Sequence, residues 1–293
     1  MILHSLRHSP LKKYSLLKNM IRFFSRKFGK VSDFPDIFSG KHFPDAYFFQ
    51  KNFENADLRG ACFANADLRN ADFRNANLRG ADLKSADLRN AFMQNTILRE
   101  ADLSRANLGN AVLQNADFRE ACLWKACLRN ALLVKADLRE AELADADLDF
   151  ANMEYALVRG AGLAETSLEN VSAEGADFTD ANLREADLHK GCFRNALFCR
   201  ANLQKADLSE TDMEKAVFQG ADFWRANLSG ADLTGADLRN TVFIGANLNC
   251  AILWKANLSE SDLSYADLEH ALLRDADIRN ADMDGENLDR EKY

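Results

Sequence analysis

Proline is almost missing: of 293 residues only Pro10, Pro35 and Pro44 are proline, and none follows residue 44. Basic surplus stops at the same place. Residues 1–45 hold nine Lys/Arg against Asp33, Asp36 and Asp45, a balance of +6, whereas the rest holds 28 against 42, or −14, which together give −8. Both shifts mark a boundary near residue 45. No run of about 18 apolar residues occurs, which excludes a membrane-spanning helix. The six cysteines show no CxxC pairing and no Cys/His ligand spacing, which excludes the common zinc and redox motifs; they read as free thiols in a reducing compartment. Histidine is scarce, and His189 and His270, the two in the repeats, pair with no nucleophile. There is no P-loop, no HExxH and no glycine-rich dinucleotide fingerprint. These absences argue against an enzyme and leave no residues for a cofactor or a metal.

What the chain has instead is a period. From residue 46 to residue 290 it repeats every five residues without insertion or deletion, as Ala66-Asp-Leu-Arg-Asn70 and Ala226-Asn-Leu-Ser-Gly230 illustrate. With the large apolar residue taken as the centre, 48 of 49 centres are Leu, Phe, Met, Val or Ile, Ala173 being the exception. Two positions earlier, 40 of 49 are Ala, and directly before the centre 30 of 49 are Asp or Asn. A five-residue period advances about 140° past a full turn on an α-helix, so no apolar stripe forms. On a strand an odd period sends successive centres to opposite faces. The chain must therefore turn once per repeat so that every Leu and every Ala points inward, which makes a solenoid.

The A(D/N)LXX unit, as in Ala81-Asp-Leu-Lys-Ser85, resembles the pentapeptide repeat proteins over about five-sixths of the chain. The resemblance implies an all-β solenoid, a right-handed quadrilateral β-helix with four pentapeptides per coil, here about twelve coils. It also implies that the centre and the residue two before it face inward. Some members of that family resemble duplex DNA and bind DNA gyrase or topoisomerase IV, protecting it from quinolones. Members of that kind end in a dimerising helix with no counterpart here, which leaves a monomer or an end-to-end dimer.

Four segments follow: a basic arm at 1–30, a phenylalanine-rich cap at 31–45, the repeats at 46–290 and a tail at 291–293. Within the arm, residues 11–28 predict a short amphipathic α-helix, with Leu16, Leu17, Met20, Ile21, Phe24 and Phe28 at helical spacing among six Lys/Arg. Such a segment serves as a cap on the first coil, as a peripheral membrane contact or as a targeting arm. Phe34, Phe38, Phe43, Phe48 and Phe53 supply the bulk of the amino-terminal plug. Val171-Ser-Ala-Glu-Gly175, where large and small inward residues trade places, predicts either a local bulge or soft layer or a tolerated exchange in which Val171 partly fills the gap.

At a 20-residue coil, Phe92, Val112 and Leu132 recur on one face at a position that faces water, with Val134 beside them and Trp124 on the neighbouring face. Trp224, Ile244 and Trp254 form a second apolar group, and Arg59, Arg79, Arg99, Arg119, Arg139 and Arg159 form a charged strip. Exposed apolar patches mark interaction surfaces. The arginines read either as a solvated ladder cross-paired with carboxylates or as a docking strip for an acidic partner. The functional expectation is a non-catalytic cytoplasmic scaffold that recognises a protein partner through its flat faces, without direct nucleic-acid binding by the repeats. A gyrase-directed DNA mimic and an effector or organelle protein addressed by its basic arm are the alternatives.

Overall fold

The computed structural model describes residues 38–285 and Asn287. Within them the five-residue grammar governs every layer. The residue before each centre bridges in parallel to the residue twenty positions later, in an unbroken series from His42↔Cys62 to Asp262↔Asp282. Four repeats thus close one coil, and the coil is a square. Two residues of each five turn the corner, so only three remain per side, too few for a regular strand; each side contributes a single bridging residue. Parallel crossovers of this kind wind right-handed as a rule.

Backbone accounting explains the repeat. The centre N–H donates to the next coil, as Phe53 N to the Asp72 carbonyl at 2.6 Å, and the preceding N–H donates to the coil before, as Asp72 N to the Lys51 carbonyl at 2.8 Å. The corner residue's N–H reaches forward (Asn55 N to the Arg74 carbonyl, 2.9 Å) and the alanine N–H closes the turn (Ala56 N to the Phe53 carbonyl, 3.0 Å). That leaves one donor per repeat, the N–H directly after the centre. The Asp or Asn before the centre takes it, as Asp57 Oδ1 does from Arg59 N at 3.2 Å and Asn152 Oδ1 from Glu154 N at 3.0 Å. This local side-chain bond is why Asp and Asn hold that position.

Each corner demands a left-handed residue. The last residue of every repeat from Gly40 to Gly285 has φ between +54° and +72°, and glycine fills only ten of these places. Asn is the commonest of the others, as its tolerance of left-handed backbone leads one to expect.

The core is one column of centres and alanines, almost all fully buried. Stacked phenylalanines measure its rise directly: Phe53 and Phe73, Phe178 and Phe198, and Phe223 and Phe243 lie parallel at 4.9, 4.8 and 4.7 Å. Where Thr or Ser replaces the inward alanine its hydroxyl is satisfied, as Thr96 by the Phe73 carbonyl and Thr211 by the Leu208 carbonyl. Phe38, Phe43, Phe48 and Phe53 pack as the first layer, with Phe38 5.4 Å from Phe43. Phe34 and the arm at 1–30 lie outside the described residues. So do residues 31–37 of the cap and the tail.

The expected bulge at 171–175 is absent. Asn152↔Ser172 and Ser172↔Cys192 bridge as elsewhere, and Val171 and Ala173 are both buried. The next coil carries the opposite exchange: Gly191 lies after Val171 and Phe193 after Ala173. A Cβ on Gly191 would stand 2.5 Å from the Phe193 ring, so that ring leans into the space an alanine would occupy. Two complementary departures fill one volume.

Candidate protein-interaction surfaces

The square coil sorts outward residues into four sides and four corners. Side one carries His42, Cys62, Asp82 and their successors; side two Tyr47, Asp67, Asp87; side three Asn52, Asp72, Phe92; side four Asp57, Asn77, Ile97.

Side three brings Phe92, Val112 and Leu132 together, bridged coil to coil. Phe92 is 45% and Leu132 39% exposed, and Val112 is half-buried between them. Val134 follows Gln94 and Gln114 at the adjoining corner. Residues 90–95, 110–115 and 130–134 hold no charged side chain, and Asn90, Asn110, Asn95 and Asn115 line the corners on either side. In a chain that is 28% charged, this is a neutral, flat strip with an apolar middle. Trp124 does not belong to it, because the Trp124 corner joins sides one and two and all of side two intervenes.

The second expected group also separates. Trp224 and Ile244 stack at the corner of sides one and two, but Trp254 lies ten residues, half a coil, beyond Ile244 and so occupies the opposite corner. Sequence proximity had joined what the coil register parts.

The arginine column runs along the corner from side four to side one, and each member is paired. Arg59, Arg119 and Arg139 clamp Asp57, Asp117 and Asp137 within their own repeats at 2.6 Å. Arg79, Arg99 and Arg159 follow Asn77, Ile97 and Leu157 instead, and reach on to Glu100, Glu120 and Asp180 at 2.7, 3.0 and 3.4 Å. The rule holds outside the column. Asp67-Leu-Arg69, Asp72-Phe-Arg74, Asp87-Leu-Arg89, Asp237-Leu-Arg239 and Asp277-Ile-Arg279 all close the same clamp at 2.6–2.7 Å. Arg129 and Arg194, which follow cysteines, bind Asp147 and Asp149, and Asp212 and Glu214. Hydrogen bonding by the arginine lowers the Asp57, Asp67 and Asp237 carboxyls and holds Asp277 at about 2. Three of the six column arginines thus close intra-repeat clamps and three pair across coils where the aspartate is missing; Arg119 does both, reaching Asp137 of the next coil at 3.4 Å.

Sequence reasoning missed the surroundings of the tryptophans. Trp124 lies between the Arg105 guanidinium at 4.9 Å and the Lys125 ammonium at 4.6 Å, and its indole N–H donates to Asp145 at 3.0 Å. Arg225 lies 4.6 Å over Trp224. The legible signal was Trp followed by a cation, with a second cation twenty residues earlier.

Charge is divided along the axis as well. Residues 46–140 hold 14 Lys/Arg and 12 Asp/Glu, +2; residues 141–190 hold 3 and 12, −9; residues 191–290 hold 10 and 17, −7. The acidity of the rod begins only at residue 141.

Parallel bridges at a spacing of twenty and a corner every fifth residue define a quadrilateral repeat solenoid. The family model described as pentapeptide repeats matches residues 52–90, 96–133, 128–160, 161–198, 200–235, 226–264 and 251–290, and the chain belongs to that family. Solved structures with some likeness include HetL, a pentapeptide repeat protein involved in heterocyst differentiation regulation from the cyanobacterium Nostoc sp. strain PCC 7120. It is 28% identical, with 90% of this chain and 95% of that one covered and a TM-score of 0.36. QnrB1, a plasmid-mediated fluoroquinolone resistance protein, is 18% identical over 86% of this chain and 95% of its own, at a TM-score of 0.34. A pentapeptide repeat protein of the Arabidopsis thaliana thylakoid lumen is 25% identical over 51% and 72%, at 0.14. No curated protein matches the chain.

Proposed function

We propose that this protein is a non-catalytic scaffold, a rod that binds a protein partner through its flat outer sides, with the strip of Phe92, Val112 and Leu132 as the contact. One observation carries the reading: three exposed or half-buried apolar side chains stack in register over three successive coils of side three that hold no charge there. Apolar centres with amide borders have the anatomy of an interface core and rim. The six free, partly exposed cysteines suit a reducing compartment, in keeping with a cytoplasmic location. Affinity capture with wild type and with Phe92→Asp/Leu132→Asp tests the strip. The account expects one or more partners to vanish with the double variant, and identical partner sets would contradict it.

A second reading draws on the charge division. The −16 carried by residues 141–290 suits a duplex-DNA mimic directed at DNA gyrase or topoisomerase IV. It predicts protection of gyrase supercoiling from a quinolone, and the scaffold reading predicts none. Address by the arm to a membrane or an organelle is a third proposal, tested by liposome flotation with and without residues 1–30.

A further inference from the structure

Trp124 and Trp224 belong to one edge, the corner between sides one and two. They stand 224 − 124 = 100 residues apart, five coils of twenty, or roughly 24 Å at ~4.8 Å per coil. Their settings share one feature: each is followed by a cation that lies over its ring, Lys125 or Arg225. Trp124 has a second ring cation one coil earlier, Arg105, whereas Lys205, at the same place before Trp224, is paired with Glu185 at 2.9 Å. The arginines that directly follow a repeat centre all bind carboxylates, whereas Arg105, Lys125 and Arg225 lie against indole rings, with no carboxylate within 4.0 Å among the described residues. A cation resting on a ring keeps its outward donors for another group. Between the two sites the same edge turns acidic, with Asp145 and Glu165 beside the small residues Ala144 and Ala164.

We infer that this edge is a two-point docking surface for an extended acidic segment of a protein, one that places carboxylates over the Trp124 and Trp224 sites and a basic residue over Asp145 and Glu165. Partly buried tryptophan beside arginine is the composition of interface hot spots. The carboxylates in the middle select against a continuous polyanion, which favours protein over nucleic acid. Trp254 supplies an internal contrast: Lys255 follows it, but among the described residues no cation lies over its ring as Lys125 and Arg225 lie over theirs. The surface is separate from the strip on side three, so either stands if the other fails.

The test uses the full chain and a fluorescent synthetic peptide carrying two Glu-Glu pairs separated by about seven residues, a span of roughly 24 Å in extended form, with two lysines in the middle. Anisotropy at physiological salt is expected to report binding that weakens at least tenfold for Trp124→Ala, for Trp224→Ala and for a peptide with its Glu pairs adjacent. Trp254→Ala is expected to stay within twofold. Arg105→Gln/Lys125→Gln, which removes charge without removing a ring, is expected to lose as much as Trp124→Ala, and covers the case in which the tryptophan variants unfold. Absence of binding, indifference to Glu spacing or an equal loss in Trp254→Ala overturns the inference. Tighter binding of a single-stranded 20-nucleotide DNA also overturns it.

Discussion

An aspartate two residues before an arginine does two things in this chain. Its Oδ1 takes the one backbone N–H that the coil leaves over, and the same carboxylate grips the arginine Nε and guanidinium, as Asp137 does for Arg139 at 2.8 and 2.6 Å. The two roles come apart on substitution. Asp137→Asn keeps an oxygen for the N–H and loses the half-exposed ion pairs to Arg139 and, at 3.4 Å, to Arg119, so thermal or urea melts should show a loss of about 0.5–1 kcal/mol. Asp137→Ala loses both, and should cost about 1–2 kcal/mol, in the range of a lost helix cap. A larger loss in the Asn variant would contradict the division of labour. The same clamps set the acid limit. Folded carboxyls such as Asp277, at about 2, titrate below the unfolded value of about 3.9. Their contribution is complete above about pH 4 and disappears as pH falls through the folded values toward 2. Melting temperature should be flat from pH 7 to 5 and fall steeply below 4; a flat profile down to pH 2 would contradict the clamps.

Coil-to-coil complementarity sets tolerance at the level of the element. Gly191 is inward-facing, and a Cβ there meets the Phe193 ring at 2.5 Å and the Leu188 carbonyl oxygen at 3.0 Å. Gly191→Ala should therefore destabilise by about 1–3 kcal/mol through overpacking. Phe193→Leu should restore part of that loss when combined with it, which a double-mutant cycle measures. Additive losses would mean that ring and glycine do not share a volume. This pair also locates what the sequence made legible. The inward positions, the turn in every repeat and the coil length could be read from Ala, Leu and a period of five. The fate of Val171 and Ala173 could not, because the matching exchange at Gly191 and Phe193 lies one coil away and acts only through stacking. The tryptophans were misgrouped for a related reason: Trp254 is near Ile244 in number and on the opposite corner in space. The Asp-X-Arg clamp was present in the letters, but a two-residue spacing on an extended side looks unremarkable until the corner folds the arginine back over its neighbour.

For the whole molecule, the unit repeats but the surface does not. The first coils are nearly neutral, the later ones strongly acidic, and the neutral strip of side three and the Trp edge occupy separate positions around the axis. The core closes at its amino-terminal layer of phenylalanines, whereas the last described centres open: Ile278 is 42% exposed and Met283 only partly buried. A rod of this kind presents different chemistry at each height and on each side.

All of this depends on distance along the axis growing with residue number in steps of twenty. Spin labels at Asn95, Asn195 and Asp275, exposed and at one corner, measure that growth by double electron–electron resonance in a cysteine-replaced chain. Five coils separate Asn95 from Asn195 and nine separate it from Asp275, so the distances should be roughly 24 and 43 Å at ~4.8 Å per coil, before label length. Separations that fail to increase in that ratio would contradict the square coil.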